Sequence, residues 1–475
     1  MTASSSPSRL RVAIVGAGPA GIYAGNILAT AISGRRADDA ASVPGAVEID
    51  LFESLPAPYG LIRYGVAPDH PRIKGIVNSL HEMLDAEGVD GDRRLIRFLG
   101  NVEVGRDVSI EELRERYHAV VLATGAIRDA ALDIPGVDLP GSHGAADFVS
   151  WFDGHPDVPR AWALEDEHVA VIGNGNVALD VARILAKLPE HLRSTEIPDN
   201  VLAGLEASAV TDVHVFGRRG PADIKFTPIE LRELGEVAGV DILVDSADID
   251  GVDPASASTN QRKIMLRTLK AWGERPENRG EPSGARRRLH LHFWHAPVEI
   301  LGEGRVEAVR FERTAPGEDG ALRSTGVFVD YAVTGVYRAV GYFGSPIAGV
   351  PFDERRGIIA NDGGRVDGMP GLYATGWIKR GPVGLIGHTK SDATETIGHL
   401  VADLDAGLLA DPAEDADIVP LLAERGVEVT TWDGWLALDA HERVLGETHV
   451  HARERVKVVP REDQVAISRQ AVLAR

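Results

Sequence analysis

Cysteine is absent from all 475 residues of the chain. This absence excludes disulfide bonds, iron–sulfur clusters held by thiolates, thiol nucleophiles and redox-active dithiol pairs. Any electron chemistry that the protein carries out must therefore pass through a bound organic cofactor.

Long apolar runs and an excess of positive charge are also missing. No stretch approaches the about 18 consecutive apolar residues of a membrane-spanning helix. The first ten residues, MTASSSPSRL, have neither an apolar signal core nor an Arg-rich leader, which predicts a cytoplasmic protein or a mature form whose leader has been removed. Because 50 Lys and Arg face 71 Asp and Glu, the net charge is −21, and we expect neither nucleic acid nor a membrane surface as a general partner.

What the chain does contain is a glycine fingerprint near its start. A short apolar strand ends at Val15, and Gly16, Gly18 and Gly21 follow in a G-x-G-x-x-G pattern that opens a helix. Such glycines permit a tight turn, close approach of a pyrophosphate and close helix–strand packing, with the phosphates on the helix N-terminus. The next strand, VEIDLFES, supplies Glu53 for the ribose hydroxyls, later than usual because a polar insertion precedes it. The alternative is that Glu53 is an ordinary carboxylate at the end of a strand.

A second fingerprint follows another apolar strand. Gly173 and Gly175 are followed by Ala178 in the third small position, and a helix pattern continues from there. Where an enzyme specific for NAD would place an acid, this chain has Arg218 and Arg219, which suit the 2′-phosphate of NADP. The alternative is an arginine pair solvated at a surface turn. Two fingerprints predict two different dinucleotides and two Rossmann-like domains of α/β class.

Several motifs occur together and in order with the first fingerprint. They are YGVAPDHP (64–71), GNGNVALDVARIL (173–185), VFGRRGP (215–221), FTPIELREL (226–234) and ATGWIKRGPVGLIG (374–387). In combination they resemble the adrenodoxin reductase–like branch of the ferredoxin–NADP reductases. The resemblance implies an FAD protein that oxidises NADPH and passes electrons singly to a ferredoxin-type iron–sulfur protein.

The same resemblance implies a domain organisation. It is similar to that of glutathione reductase, without the redox cysteines. Residues 1–125 and 340–475 would form the FAD-binding domain with a C-terminal extension, and residues 126–339 would form the inserted NADP-binding domain. Two strands that end in Ala-Thr-Gly, in HAVVLATGA (118–126) and LYATGWIKRG (372–381), are typical of the exit from a flavin domain and the return to it.

Site residues follow from the resemblance position by position. For FAD they are Gly16, Gly18, Ala20, Gly21, Glu53, Leu61, Val102, Trp377, Gly384, Leu385 and Ile386. For NADP they are Gly173, Asn174, Gly175, Asn176, Val177, Arg218, Arg219, Glu230 and Gly384. His70 and Glu230 would lie together beside the nicotinamide, where they could position it, hold the domains together or relay a proton; a purely structural pair is the alternative.

Histidines and arginines outside these motifs suggest less specific roles. His290 and His292 share one face of a strand, with His295 beyond, but no cluster of carboxylates accompanies them in the sequence, so we expect no metal site. A basic patch for an acidic ferredoxin could draw on Arg63, Arg72, Lys74, Lys379, Arg380 and Arg286–Arg288.

Other protein classes share some of these sequence features. Disulfide reductases also combine FAD and NADP fingerprints, but they need a cysteine pair. The small subunit of glutamate synthase normally carries a Cys-rich N-terminal domain, which is absent here. A flavin monooxygenase, another NADPH-flavin reductase and a nucleotide-binding redox sensor remain as alternatives.

Overall fold

The structure is a computed structural model that describes residues 9–33, 47–70, 74–87, 94–281, 283–383 and 386–473. Within these ranges no helix is long and apolar enough to cross a membrane. The chain divides into two compact units, and each is continuous in space but not in sequence. Unit 1 comprises residues 1–66, 70–128 and 342–475, and unit 2 comprises residues 67–69 and 129–341.

The first segment of unit 1 alternates strands and helices. Its elements are β1 (Leu10–Val15), α1 (Pro19–Ser33), β2 (Val47–Phe52), α2 (Leu61–Tyr64), α3 (Val77–Asp85), β3 (Ile96–Leu99), α4 (Ile110–Arg116) and β4 (Ala119–Leu122). β1 pairs in parallel with β2 on one side and with β4 on the other.

The chain then passes through β5 (Arg128–Asp129) into unit 2. The strands of unit 2 are β6 (Ser142–Gly144), β7 (His168–Ile172), β8 (Asp212–Phe216), β9 (Val240–Val244), β10 (Arg287–His292), β11 (His295–Leu301), β12 (Ala308–Pro316), β13 (Leu322–Tyr331) and β14 (Gly335–Arg338). Its helices are α5 (Ala145–Phe152), α6 (Asn176–Ala186), α7 (Asp199–Glu206), α8 (Pro228–Gly235), α9 (Ser246–Ile249) and α10 (Asn260–Gly273).

The last segment returns to unit 1 and ends in helices. Its strands are β15 (Tyr342–Phe343), β16 (Phe352–Asp353), β17 (Ile358–Ile359), β18 (Asn361–Asp362), β19 (Arg365–Val366) and β20 (Leu372–Ala374). Its helices are α11 (Trp377–Arg380), α12 (Ile386–Asp405), α13 (Ile418–Glu424), α14 (Trp432–Thr448) and α15 (Arg461–Leu473).

Each unit is built on one central sheet. The order is β18-β19-β20-β4-β1-β2-β3 in unit 1 and β6-β14-β7-β8-β10-β9 in unit 2, where a separate sheet β11-β12-β13 is also present. In unit 1, Val12 and Ile14 of β1 belong to one buried cluster and Ala13 and Val15 to another. Apart from Arg11, the strand is therefore apolar, which is typical of a parallel sheet that is covered on both faces.

The two faces of the sheet in unit 2 are covered differently. Val169 and Val171 of β7 pack in the cluster that includes residues of α5, α6 and α7. Ala170 and Ile172 pack on the other face with Val309 and Phe311 of β12 and with Phe216 of β8. The α/β architecture with two Rossmann-like units is thus confirmed, and the three-stranded sheet is an addition that the sequence did not predict.

The C-terminal helices of unit 1 are tied to its first segment by a buried ion pair. The Arg63 guanidinium, just inside α2, donates from Nη1 and Nη2 to the two carboxylate oxygens of Glu442 on α14 at 3.0 and 2.5 Å. Arg63 is 6% exposed and Glu442 is fully buried. Arg63 also lies over the ring of Trp435, 5.1 Å from its centroid. The pair therefore fixes the segment that follows Gly60 to a helix almost 380 residues later in the chain.

We expect the Glu442→Ala variant to lower the free energy of unfolding by about 3–5 kcal/mol, because it leaves the Arg63 charge buried without its partner. Urea unfolding followed by circular dichroism measures this change. The control is Glu447→Ala, which truncates an exposed acid on the same helix and should cost less than about 0.5 kcal/mol. Equal costs for the two variants would contradict a role for the pair in stability.

Candidate functional site

The first fingerprint forms a tight turn at the end of β1, where the backbone of Gly16 packs directly against the backbone of neighbouring segments. Gly16 has φ 107°, and its N–H donates to the carbonyl of Phe52 at 2.7 Å. A Cβ atom at Gly16 would lie 2.5 Å from the carbonyl oxygen of Ala123, whereas a Cβ atom at Gly18 would meet nothing within 4 Å. Gly16 is thus required by packing, and Gly18 faces open space of the kind that a pyrophosphate needs.

Glu53 lies beside this turn and not in solvent. Its carboxylate accepts the N–H of Ala17 at 2.8 Å and that of Leu55 at 3.1 Å. Burial raises the pKa of Glu53, and these N–H donors partly oppose the rise. Val102 is placed next to Glu53 by its own N–H, which donates to the Glu53 carbonyl at 2.8 Å. The Ser54 hydroxyl also donates to this carboxylate at 3.1 Å, so most of its about four lone-pair positions are occupied.

Two more segments border the glycine turn. The N–H of Tyr59 donates to the carbonyl of Ala17 at 2.8 Å, and a Cβ atom at Gly60 would lie 3.2 Å from the Cα of Gly18. Leu61 begins α2 directly after Gly60. On the return segment, a Cβ atom at Gly376 would lie 2.6 Å from the Cβ of Ala20. The half-buried Trp377 follows Gly376 at the start of α11.

The predicted FAD residues up to Trp377 therefore lie around one glycine turn in unit 1. Gly384 and Leu385 lie outside the described residues, and Ile386 is described only as the first residue of α12. The hydroxyl of Thr124, in the first Ala-Thr-Gly, is buried without a hydrogen-bond partner among the described residues. An orphaned buried hydroxyl beside an open glycine turn fits a polar cofactor.

Asp392 is a residue of this region that the sequence did not single out. It lies on α12, is 5% exposed, and accepts hydrogen bonds from the Thr375 hydroxyl and the Gly376 N–H of the second Ala-Thr-Gly. Trp377 occupies the position where many flavoproteins have an acid, and Asp392 supplies a carboxylate to the same turn from a helix. The only sign of this carboxylate in the sequence is the Asp of GHTKSDATE. That Asp has no fixed spacing to the Ala-Thr-Gly turn that would indicate the contact.

The second fingerprint repeats the same construction in unit 2. The N–H of Gly173 donates to the Phe216 carbonyl at 3.0 Å, and a Cβ atom at Gly173 would lie 2.2 Å from the Ala339 carbonyl oxygen. Gly175 faces open space and is the N-cap of α6. Within α6, Asn176 has a buried side-chain oxygen without a partner among the described residues, and Val177 is half-buried. These features fit a second nucleotide at the N-terminus of α6.

Arg218 and Arg219 follow β8 beside this turn. A Cβ atom at Gly217 would lie 2.7 Å from the Asn174 side-chain amide, which places the arginine pair directly after a residue that contacts the fingerprint. Both arginines are exposed, and neither guanidinium makes an ion pair within the described part of the chain. Their backbone carbonyls are held by Thr314 and Trp294. The backbone is thus fixed while two cationic side chains remain available to an anion.

Glu230 has a structural role in the helix that carries it. It is 7% exposed and forms a capping box at the start of α8, where its carboxylate accepts the Thr227 N–H at 3.1 Å and a short hydrogen bond from the Thr227 hydroxyl. The nearby N–H of Lys225 donates to the Asn174 carbonyl at 3.0 Å, so α8 begins close to the second fingerprint.

His70 is buried at 5% exposure and belongs to unit 1, whereas Glu230 belongs to unit 2. Their pairing beside a nicotinamide therefore stays a prediction. The preceding residue, Asp69, belongs to unit 2 and accepts two hydrogen bonds from Arg183 and one from Lys187, all at 2.8–2.9 Å. Burial alone would raise the pKa of Asp69, but the two cations hold it well below its ordinary range.

Most arginines and lysines proposed for a docking patch are buried or paired. Lys379 is 7% exposed and donates to Glu395 at 2.7 Å, and Arg287 is 8% exposed and donates to the carbonyls of Leu185 and Lys187. Arg63 is held by Glu442, as described above. Arg286 and Arg288 pair with Glu190 and Asp212, and Arg72 lies outside the described residues. Lys379 and Arg287 are therefore not exposed for docking, and a basic patch that draws on the other residues stays a prediction.

Comparison with known proteins agrees with this geometry. Residues 10–214 match the family model "Pyridine nucleotide-disulphide oxidoreductase". The chain is 41% identical over 460 residues to the NADPH-ferredoxin reductase FprA of Mycobacterium tuberculosis, covering 94% of this chain and 96% of that protein. It is 39% identical over 461 residues to the mitochondrial NADPH:adrenodoxin oxidoreductase of Homo sapiens, covering 94% and 90%. The solved structure of M. tuberculosis FprA in complex with NADPH superposes with a TM-score of 0.86 at 38% identity and covers 97% of this chain and 99% of that one.

We expect replacement of both Arg218 and Arg219 by Gln to raise KM for NADPH steeply and to leave NADH kinetics nearly unchanged. Each lost charge-assisted contact to the 2′-phosphate is worth about 1.5–3 kcal/mol, or roughly 10- to 150-fold. Steady-state kinetics with both nucleotides measure the effect. The matched control replaces the exposed Arg232 and Arg267 of the same unit by Gln. Equal losses with NADPH and NADH would assign the pair a structural role.

Proposed function

Because the chain belongs to the family of the NADPH-ferredoxin and adrenodoxin reductases, we propose that it is an FAD-dependent NADPH:ferredoxin oxidoreductase. One observation carries the proposal most strongly. Each unit has its own open glycine turn, and the second turn is followed by two exposed arginines that make no ion pair within the described part of the chain. Two dinucleotides, of which one carries an additional phosphate, account for this arrangement.

Unit 1 would hold FAD. The N–H groups at the start of α1 receive the pyrophosphate beside Gly18, and Glu53 receives the ribose. Leu61 and Val102 border this site from α2 and from the loop after β3, and Trp377 borders it from α11. The fit rests on the orphaned Thr124 hydroxyl and on the open space at Gly18.

Unit 2 would hold NADPH. The start of α6, with Gly175 and Asn176, receives the pyrophosphate, and the exposed guanidinium groups of Arg218 and Arg219 bind the 2′-phosphate. NADH lacks that phosphate, so it forgoes these contacts and binds less tightly. Selection between the two nucleotides therefore depends on side chains that contribute nothing to the packing of the unit.

FAD, when bound, supplies the chemistry that accepts a hydride and returns electrons one at a time. The chain's own residues bind and orient. His70 would position the nicotinamide, and Glu230 would assist through the start of α8, whose capping box holds its carboxylate in place. The absence of cysteine removes the dithiol route that disulfide reductases use. The cytoplasmic location and the absence of a nucleic-acid partner stay predictions from the sequence.

We expect the NADPH-reduced protein to reduce a ferredoxin anaerobically in single-electron steps, which stopped-flow absorbance of the ferredoxin records. An acidic ferredoxin docks by local charge despite the net charge of −21, because the field of distant charges is screened beyond about 8–10 Å at ordinary salt. The association rate should therefore fall as salt rises from low to moderate.

A neutral quinone is the control acceptor, and its reduction should not respond to salt. Lys390 is an exposed cation on α12, the helix that begins at the predicted FAD residue Ile386, so Lys390→Glu should slow ferredoxin reduction alone, whereas Arg232→Glu should not. Oxygen consumption coupled to an organic substrate, without ferredoxin reduction, would instead identify a monooxygenase. NADPH-dependent reduction of flavin or quinone alone would identify another flavin reductase.

We expect His70→Ala to slow flavin reduction by NADPH in single turnover without releasing FAD. Two variants of Glu230 distinguish a role of its charge from its role in the helix cap. Gln can replace Glu in a capping box, so Glu230→Gln retains the cap and removes the charge, whereas Glu230→Ala removes both and costs about 0.5–2 kcal/mol of stability. Slow reduction in both variants indicates a role for the charge. If only Glu230→Ala is slow, the residue acts through the helix cap alone.

A further inference from the structure

A cluster of histidines on the central sheet of unit 2 is not used by the proposed reaction. It consists of His168 on β7, His214 on β8 and His290 and His292 on β10, together with Asp212 on β8, and we refer to it as the histidine cluster. His290 is the direct neighbour of His214 in the parallel pairing of β10 with β8. His168 is likewise the neighbour of Asp212.

The strand register brings three imidazoles to one place. Side chains two positions apart on a strand point to the same face, so His290 and His292 lie together, and the register adds His214 from the next strand. One nitrogen of each of these three rings lies within 4.8 Å of the other two. His214 Nδ1 and His292 Nε2 are 3.0 Å apart. In a tetrahedral zinc site with bonds of about 2.0–2.1 Å, two nitrogen ligands are separated by about 3.3 Å.

The carboxylate of Asp212 is hydrogen-bonded to one of the three imidazole rings, that of His290. Asp212 is 2% exposed and shares a hydrogen bond of 2.8 Å with His290 Nε2, which leaves Nδ1 of His290 available as a ligand. Histidine ligands of metals commonly have such a carboxylate on their other ring nitrogen, because it fixes the tautomer and increases the basicity of the ligand. Arg288 pairs with the same carboxylate, so its charge is already balanced.

The cluster can be reached from solvent at one end. The side chains of His168 and His290 are 46% and 20% exposed, and His214 and His292 are half-buried. The rings of His214 and His290 are stacked, with centroids 4.1 Å apart and an angle of 15° between planes. Since ligand lone pairs lie in the ring planes, metal binding requires these rings to turn about the Cβ–Cγ bond out of the stack.

We propose that His214, His290 and His292 bind one divalent transition metal ion of the zinc class, a site additional to the two nucleotide sites. Three neutral imidazoles suit a borderline-soft ion such as Zn²⁺, and a fourth, open position would take water. The sequence predicted no metal here because it shows His290 and His292 without the two residues that β8 contributes. A calcium or magnesium ion would prefer oxygen ligands, of which the three-histidine set has none.

The test uses the full-length holoprotein without an affinity tag, freed of metal by a chelator and then equilibrated with Zn²⁺ alone. After gel filtration, elemental analysis should find one zinc per chain. X-ray absorption at the zinc edge should show three imidazole nitrogens at about 2.0 Å. This measurement needs no variant. Failure to retain zinc, or a spectrum with fewer than three imidazoles, overturns the proposal.

Two variants assign the ligands. His214→Phe and His292→Phe keep an aromatic ring in the stack but remove the nitrogens, and each should abolish zinc retention. His143→Phe is the matched control, since His143 is a half-buried histidine of unit 2 that packs against Trp162 and Tyr337. If His214→Phe and His292→Phe still retain zinc, the ion binds elsewhere and the proposal is overturned. The same conclusion follows if zinc is lost on His451→Phe, which alters the His449–His451 ring pair.

Discussion

Both nucleotide sites depend on the same steric constraint, the contact of a glycine at the end of a strand with the carbonyl of another segment. A side chain at Gly16 would collide with the Ala123 carbonyl, and one at Gly173 with the Ala339 carbonyl. Because each turn is backbone against backbone, the following helix can begin immediately and direct its free N–H groups into the space beside the turn. The next strand then ends at the same edge and delivers its last side chains to that space. Glu53 directly follows β2, and Arg218 and Arg219 follow β8 after Gly217, so the ends of the two strands carry opposite charges, as we expect for two different nucleotides.

These features could be predicted from the sequence because they are local. The glycine spacing, the strands before it and the residue at the end of the following strand are all readable without knowledge of the fold. Val102 is different, since it acts through a backbone N–H that donates to Glu53, and no residue type signals such a contact. Asp392 was missed for a related reason, because the carboxylate comes from the following helix, 16 residues after Gly376, and no motif links the two positions.

Charge was the property that the sequence predicted least well. A lysine or arginine is read as exposed by default, yet Arg63, Arg287 and Lys379 are buried, and Arg183 is buried against Asp69. Their partners are up to almost 380 residues away, so no local pattern reveals them. Buried ion pairs stabilise little compared with apolar packing, but they are costly to break. They therefore act here as fixed points for the segments beside the nucleotide sites, and they are unavailable for docking.

The histidine cluster lies where the two units differ in the packing of their central sheets. In unit 1 both faces of β1 pack in apolar clusters, and the buried charged residue of that strand, Arg11, lies near its start, where it pairs with Asp415. In unit 2 one face of the sheet meets the second sheet, and the aromatic rings of Phe216 and Tyr331 border half-buried positions on β8 and β10. A histidine that is stacked and only partly covered can serve as packing in the absence of metal and offers a lone pair when it turns. Packing and metal binding would therefore both favour histidine at these positions. For this reason the residue type alone does not show which of the two roles a histidine has.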